Sequence, residues 1–198
     1  PDFIILDEKE VIFASVAKSA CSSIKTSICG TPPEGVKIHQ HTSHLSHRRI
    51  PKKKGQYFVF TIVRDPYERL ASCYRAKFNR EDESTFIFSN YLFGYLKNHD
   101  SFDEFVRKVS KIPDKISDRH FRSQHKIVFA SGNKVDFIGK FENLPSDFEG
   151  IRDKYGFGEL PVLNKSSGKS AADLFSDETR EATSRRYKRD FELFGYSN

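Results

Sequence analysis

The stretch Val11-Ile-Phe-Ala-Ser-Val-Ala-Lys-Ser-Ala-Cys-Ser-Ser-Ile24 decides how the chain is read. Val11 to Val16 is a short apolar run with β-branched residues, bounded upstream by the charged Asp7-Glu-Lys-Glu10. Such a run predicts a buried parallel strand. Lys18 then heads five small residues, Ser19, Ala20, Cys21, Ser22 and Ser23, and a helical pattern through Ile24 and Ile28 closes near Gly30. A strand, a tight turn of small residues and a helix N-terminus make an anion cradle. Backbone N–H groups point into the turn, the helix dipole favours negative charge, and short side chains let an oxyanion approach. Lys18 adds a mobile point charge at the mouth. The plainer alternative is an ordinary strand-to-helix turn with a surface lysine.

Tyr57-Phe-Val-Phe-Thr-Ile-Val63 is the clearest strand in the chain, continuous and apolar. Arg64 follows at its carboxyl end. Asp65 then reads as an N-cap, Pro66 as the first helical residue and Glu68 as the third, as in a capping box. Leu70, Tyr74 and Phe78 give that helix an apolar stripe. The turns after Val16 and Val63 should share the carboxyl edge of one sheet, where open α/β folds take ligands. One offers Lys18; the other offers Arg64 and, two helical turns on, Ser72. Two such anion sites suit a nucleotide with phosphates at both ends of its ribose.

Further helices are predicted over 86–97, 102–109 and 146–155, with a last one from Ser176 or Asp177 to about Phe194. Short strands are predicted at Ile127–Phe129 and Val135–Gly139. Strands alternating with helices argue for a single α/β domain over 1–198, a three-layer sandwich around a mainly parallel sheet.

The 198 residues carry a net charge of +6, and 19 Phe and 8 Tyr predict an aromatic core. With a pI near 9.2, the charge points toward anionic partners. The three Cys are odd in number and show no metal-ligand spacing, so neither a zinc site nor a disulfide framework is expected, and a reducing compartment fits. No run approaches the length of a membrane span, and no signal peptide is visible. The chain lacks Met and begins at Pro1, which reads as a processed product or an excised domain.

Ala17-Lys-Ser-Ala-Cys-Ser-Ser23 resembles the 5′-phosphosulfate motif of sulfotransferases, in the P-K-x-A-C-S/T-S/T form of the Golgi carbohydrate enzymes. Arg64-Asp-Pro-Tyr-Glu-Arg-Leu-Ala-Ser-Cys-Tyr74 is similar to their 3′-phosphate motif, R-D/H-P-x-x-R-L-x-S-x-Y. His120-Phe-Arg-Ser-Gln124 resembles their H-W-x-P-Q segment, with Phe121 in place of Trp and Ser123 in place of Pro. Phe137–Leu144 and Tyr187–Tyr196 look like later blocks, so the likeness covers nearly the whole chain in family order. Ala17 stands where the family has Pro.

The resemblance implies the sulfotransferase variant of the P-loop nucleotide hydrolase-like fold. It also implies 3′-phosphoadenosine-5′-phosphosulfate as donor, a carbohydrate or other hydroxyl-bearing acceptor, and no metal. On the matching positions Lys18 would meet the leaving group, Ser19, Ala20, Cys21, Ser22 and Ser23 would hold the phosphosulfate, and Arg64 and Ser72 the 3′-phosphate. Lys165 and Ser166 sit in a late loop where related enzymes cover the nucleotide. The chain is short for a Golgi enzyme, which suggests a minimal, bacterial member. A bacterial member implies the cytoplasm, a trimmed eukaryotic catalytic domain the Golgi lumen.

A hydroxyl attacking sulfur must lose its proton, and histidine can take it. Uronyl 2-O-sulfotransferases carry an H-x-H segment shortly before the strand that ends in R-D-P. His39-Gln-His41 stands in a comparable place, making His41 the first candidate base and His39 the second; the alternative is a solvated His-rich loop. His120, Arg122 and Gln124 are candidates for acceptor contacts or for structural roles. Arg48 and Arg49 border the expected acceptor side as candidate recruiters of an anionic glycan.

Two other functions compete. An ATP-dependent small-molecule kinase needs G-x-x-x-x-G-K-S/T after a strand and a metal-binding Asp; Leu163 stands where the first glycine before Lys169-Ser170 belongs. A non-catalytic module for anionic glycan or nucleic acid would use the basic face alone, but the aromatics are not interleaved with the basic run. No nucleic-acid partner is expected.

Overall fold

A computed structural model describes residues 3–132, 134–161 and 170–198. In chain order the first elements are β1 (Phe3–Leu6), β2 (Val11–Ala14), α1 (Cys21–Cys29), the single-turn α2 (Ile38–His41), β3 (Ser46–His47) and β4 (Phe58–Val63). They are followed by α3 (Pro66–Lys77), α4 (Phe102–Ser110), α5 (Gln124–Val128), β5 (Phe137–Lys140), α6 (Leu144–Tyr155), α7 (Asp177–Arg186) and α8 (Lys188–Phe194). The chain divides into two compact units, one drawn from residues 1–64 and 124–165, the other from 65–123 and 166–198.

The first unit holds the whole five-stranded sheet, in the order β3-β1-β2-β4-β5. β2, β4 and β5 run parallel, with Val11 opposite Phe58 and Phe60 opposite Phe137. β1 pairs antiparallel with both β2 and β3 and makes the edge of the sheet mixed. The β1–β2 reversal turns on Glu10, held left-handed at φ 52°. β4 is an apolar run because both its faces are covered. On one face Val11, Phe13, Phe60 and Ile62 pack with Ile24 and Ile28 of α1 and Phe148 and Ile151 of α6. On the other, Ile12, Ala14 and Val59 meet Phe3 and Ile5 and are flanked by Ile50, Ala130 and Val135. β5 can lie this close only because it carries Gly139, where a Cβ would come within 2.6 Å of the Ile62 Cδ1.

The second unit is helical and aromatic. Asp65 caps α3 by accepting from the Glu68 N–H at 3.0 Å, with Pro66 in the first turn as its sequence predicts. Ser101 and Glu104 form a full capping box on α4. Tyr74, Phe78, Phe86, Phe88, Phe102 and Phe105 pack ring against ring, Phe78 and Phe105 at 4.6 Å between centroids. Arg186 reaches the Asp114 carboxylate at 2.6 Å and the Ser123 hydroxyl at 2.9 Å. Burial would raise the Asp114 carboxyl, but hydrogen bonds from Arg186 and the Ser123 N–H outweigh it and hold the pKa down at about 2.

Three sequence expectations are corrected. Residues 86–97 form consecutive turns, because Leu92, Phe93 and Gly94 are all left-handed, at φ 47°, 57° and 73°, and no right-handed helix passes through such a run. Ile127–Phe129 is no strand; Ile127 and Val128 lie in α5, since a short buried apolar run does not distinguish the two states. The last helix is two helices, parted at Tyr187, which is fully buried and donates its hydroxyl to the Phe121 carbonyl at 2.6 Å. Among the described residues no helix is long and apolar enough to cross a membrane.

Candidate active site

The turn between β2 and α1 holds Lys18 and the small residues that the sequence singled out. Ser15, Val16 and Ala17 leave the strand buried, and the Ser19 N–H closes a turn onto the Val16 carbonyl at 3.3 Å. Lys18 and Ala20 are both left-handed, at φ 70° and 55°. For residues with a Cβ this costs about 1–2 kcal/mol each. Alternating left-handed residues turn successive N–H groups toward one side, which is the geometry of an anion nest. α1 then starts at Cys21 with no side-chain cap and no acidic residue in its first turn. The N–H groups of Cys21, Ser22 and Ser23 are those a helix cannot satisfy internally. Ser19 is 0 % exposed, and its hydroxyl has no hydrogen-bond partner among the described residues. A buried orphan hydroxyl in a strained, carboxylate-free turn is the donor set that a bound oxyanion completes.

The second motif reaches the same turn. Arg64, at the end of β4, donates from Nη1 to the Lys18 carbonyl at 3.2 Å, and its guanidinium lies over the Phe141 ring at 4.1 Å. Its backbone is clamped by Gln124, whose side-chain oxygen accepts the Arg64 N–H at 2.9 Å and whose amide donates to the Arg64 carbonyl at 2.7 Å. Gln124 is fully buried, so this residue of the His120 segment holds Arg64 in place. Phe141 was given no role by the sequence; only the parallel pairing of β4 with β5 brings it under Arg64.

The histidine segment also meets the turn. His39, on α2, places Nε2 3.4 Å from the Ser22 hydroxyl and Nδ1 3.2 Å from the Lys25 ammonium. His41 is half-buried two residues on. Arg48 and Arg49 follow β3 and are exposed. Cys29, at the end of α1, is pushed up to about 11 by burial, against the pull of Lys25, and so stays a thiol. All three cysteines are free.

Ser72 lies on α3, half-buried within the second unit. His120 belongs to that unit too, with Nδ1 2.6 Å from Asp118. Burial pushes this imidazole below its ordinary range, against the upward pull of Asp118. Arg122 directs Nε and Nη2 to the Ser117 carbonyl at 3.1 and 2.6 Å, and its own carbonyl accepts from Arg69 at 2.9 Å. Lys165, Ser166 and Lys169 lie outside the described residues. No group of three His, Cys, Asp or Glu side chains is arranged to hold a metal among the described residues.

The model of the sulfotransferase family, Sulfotransfer_2, matches residues 1–197. Carbohydrate sulfotransferase 14 of Danio rerio is 26% identical over 98% of this chain and 61% of its own length. Carbohydrate sulfotransferase 12 of Xenopus laevis is 23% identical over 98% of this chain and 60% of its own. Carbohydrate sulfotransferase 10 of the same species is 27% identical over 83% and 56%. The chain thus spans about three fifths of the length of these curated relatives. No solved structure matches significantly.

Proposed function

The chain belongs to the sulfotransferase family, and from that premise we propose that residues 1–198 act as one domain moving a sulfuryl group from 3′-phosphoadenosine-5′-phosphosulfate to a carbohydrate hydroxyl. One observation carries the reading. The Arg64 side chain and the left-handed turn at Lys18–Ala20 meet within one unit, around a buried Ser19 hydroxyl with no partner among the described residues. The names of the similar proteins support the acceptor class.

The donor, when bound, supplies an activated sulfuryl group joined through oxygen to its 5′-phosphate. Lys18 meets that bridging oxygen and offsets the negative charge it gains as the S–O bond to it breaks. The N–H groups of Ser19 to Ser23 and the hydroxyls of Ser19, Ser22 and Ser23 hold the phosphosulfate oxygens. Arg64 and Ser72 take the 3′-phosphate. The attacking hydroxyl forms the new S–O bond in line with the breaking one and gives its proton to a histidine of α2, His41 in this reading. Positioning and fixed charge do the catalytic work, so no metal ion is required. Arg48 and Arg49 attract an anionic acceptor.

Calorimetric titration with adenosine 3′,5′-bisphosphate, against ATP with Mg²⁺, tests the donor site. Micromolar binding of the bisphosphate, lost in Arg64→Ala, is the expected result. Preference for ATP would return the kinase reading. Binding of neither by folded protein would leave the basic face as a glycan-binding surface. Mass gain by one sulfuryl group on an offered oligosaccharide then identifies the acceptor.

A further inference from the structure

Lys25 has no role in the donor site just described, although it is 2 % exposed and lies on the helix that builds the cradle. It stands one turn beyond Ser22, and helical side chains lean back toward the N-terminal turn. His39 bridges the two, Nδ1 at 3.2 Å from the Lys25 Nζ and Nε2 at 3.4 Å from the Ser22 Oγ.

With Lys25 protonated, the donor inventory selects one tautomer of His39. A protonated lysine has three N–H donors and no acceptor, so Nδ1 must accept. The ring is then neutral, its one proton sits on Nε2, and that N–H is directed at the Ser22 hydroxyl. Adding a second proton would set two positive charges side by side. Both ring nitrogens are thereby committed, one by its proton and one by its lone pair.

We infer that Lys25 is a positioning residue that holds His39 neutral in the Nε2–H form, so that His39 straps α2 onto the cradle helix and cannot act as the proton acceptor. The assignment of the proton acceptor rests on the proposed function; the tautomer does not. His39 and His41 are two residues apart on one helical turn, a spacing whose side chains do not share a face. The segment therefore divides its labour, with His39 as the strap and His41 left for the attacking hydroxyl.

Nitrogen-15 NMR of the ring nitrogens in the ligand-free full chain reads the tautomer directly. The expected spectrum shows a protonated Nε2 and a bare Nδ1 at neutral pH. Lys25→Met, which keeps the buried stem and removes the charge, should raise the His39 titration midpoint by about one pH unit, and Lys25→Arg should restore it. A protonated Nδ1 in the wild type, or a midpoint that Lys25→Met leaves in place, overturns the inference whether or not the chain transfers sulfate.

The catalytic half is read with His39→Gln, whose amide can accept from Lys25 and donate to Ser22 but cannot carry a proton away. The pH–rate profile of sulfuryl transfer should keep its acid limb in His39→Gln, with kcat lowered, and should lose that limb in His41→Gln. Loss of the limb in His39→Gln makes His39 the base and ends the strap assignment.

Discussion

Arg186 in the second unit and Lys25 in the first are both largely buried basic side chains, but the described contacts and the local sequence around them differ. Arg186 has the Asp114 carboxylate at 2.6 Å and the Ser123 hydroxyl at 2.9 Å, and together with the Ser123 N–H it holds the Asp114 carboxyl down at about 2 against the upward push of burial. Arg69, buried on α3 of the same unit, donates to the Arg122 and Arg119 carbonyls at 2.9 and 3.0 Å. Around the cradle, Lys18 and Lys25 fall in a stretch, Val11 to Gly30, that contains no Asp or Glu at all. Lys25 lies 3.2 Å from the His39 Nδ1, and Lys18 heads a turn with a strained backbone and an orphan Ser19 hydroxyl. A buried cation matched by its own chain's carboxylate holds a fold together. On the proposed function, a cationic turn whose own stretch of sequence carries no carboxylate is arranged for an anion from outside.

Breaking the internal pair should cost the most. Asp114→Ala leaves the Arg186 guanidinium, 10 % exposed as a side chain, without its carboxylate. The expected loss is about 4 kcal/mol of unfolding free energy in urea melts. A loss under about 1 kcal/mol would mean that the hydroxyls of Ser123 at 2.9 Å and Ser117 at 3.3 Å satisfy Arg186 without the carboxylate.

The cradle should respond in the opposite manner. Lys18→Ala is expected to lower sulfuryl transfer about 10²- to 10³-fold, by analogy with the loss of one preorganised charge-stabilising donor. Its unfolding free energy should stay within about 0.5 kcal/mol of wild type. If Lys18→Ala instead destabilises as Asp114→Ala does, the turn is structural and the contrast collapses.

Acid separates the two regions without a mutation. The Asp114 carboxyl titrates at about 2 in the fold against an ordinary value of 3.8. The unfolded chain therefore binds more protons between these values, and stability falls as pH drops through them. The contribution of this group is fully present above about pH 4 and amounts to about 2 kcal/mol. Melts of wild type and Asp114→Asn at pH 5 and pH 2.5 should converge at the lower pH. Equal slopes for both would assign the acid loss to other carboxylates.

The parts of this contrast were unequally legible in the sequence. The cradle and the Arg64 turn could be read because each is local: a strand, a turn of small residues and a helix start within a dozen positions. The Asp65–Pro66 cap was legible for the same reason. The Gln124 clamp on Arg64 spans 60 residues, and Phe141 comes under Arg64 only through strand pairing, so no spacing rule points to either. Lys25 did leave a signal, three residues after Ser22 on one helix face, but its partner His39 lies across a loop. Residues 86–97 misled because their aromatics mimic a helical stripe, whereas three successive left-handed residues present them to the core from turns. β1 went unread because four apolar residues beside a charged run specify no partner until β2 is known to need an edge.

The smallest expected effect is also the one that tests the contrast most closely. The Ser19 hydroxyl is buried and has no partner among the described residues, so ligand-free protein bears the cost of removing it from water. Ser19→Ala deletes that hydroxyl and fills the site with a methyl group of similar size. Thermal and urea melts of the ligand-free variant should therefore show unchanged stability or a gain of up to about 1 kcal/mol. Titration with adenosine 3′,5′-bisphosphate should move the other way, weakening about tenfold for the loss of one hydrogen bond to a charged oxygen. Opposite signs from a single atom mean that the fold holds the hydroxyl at a cost and the ligand recovers it. If stability and affinity fall together, Ser19 supports the turn itself, and the oxyanion contact belongs to the neighbouring N–H groups alone.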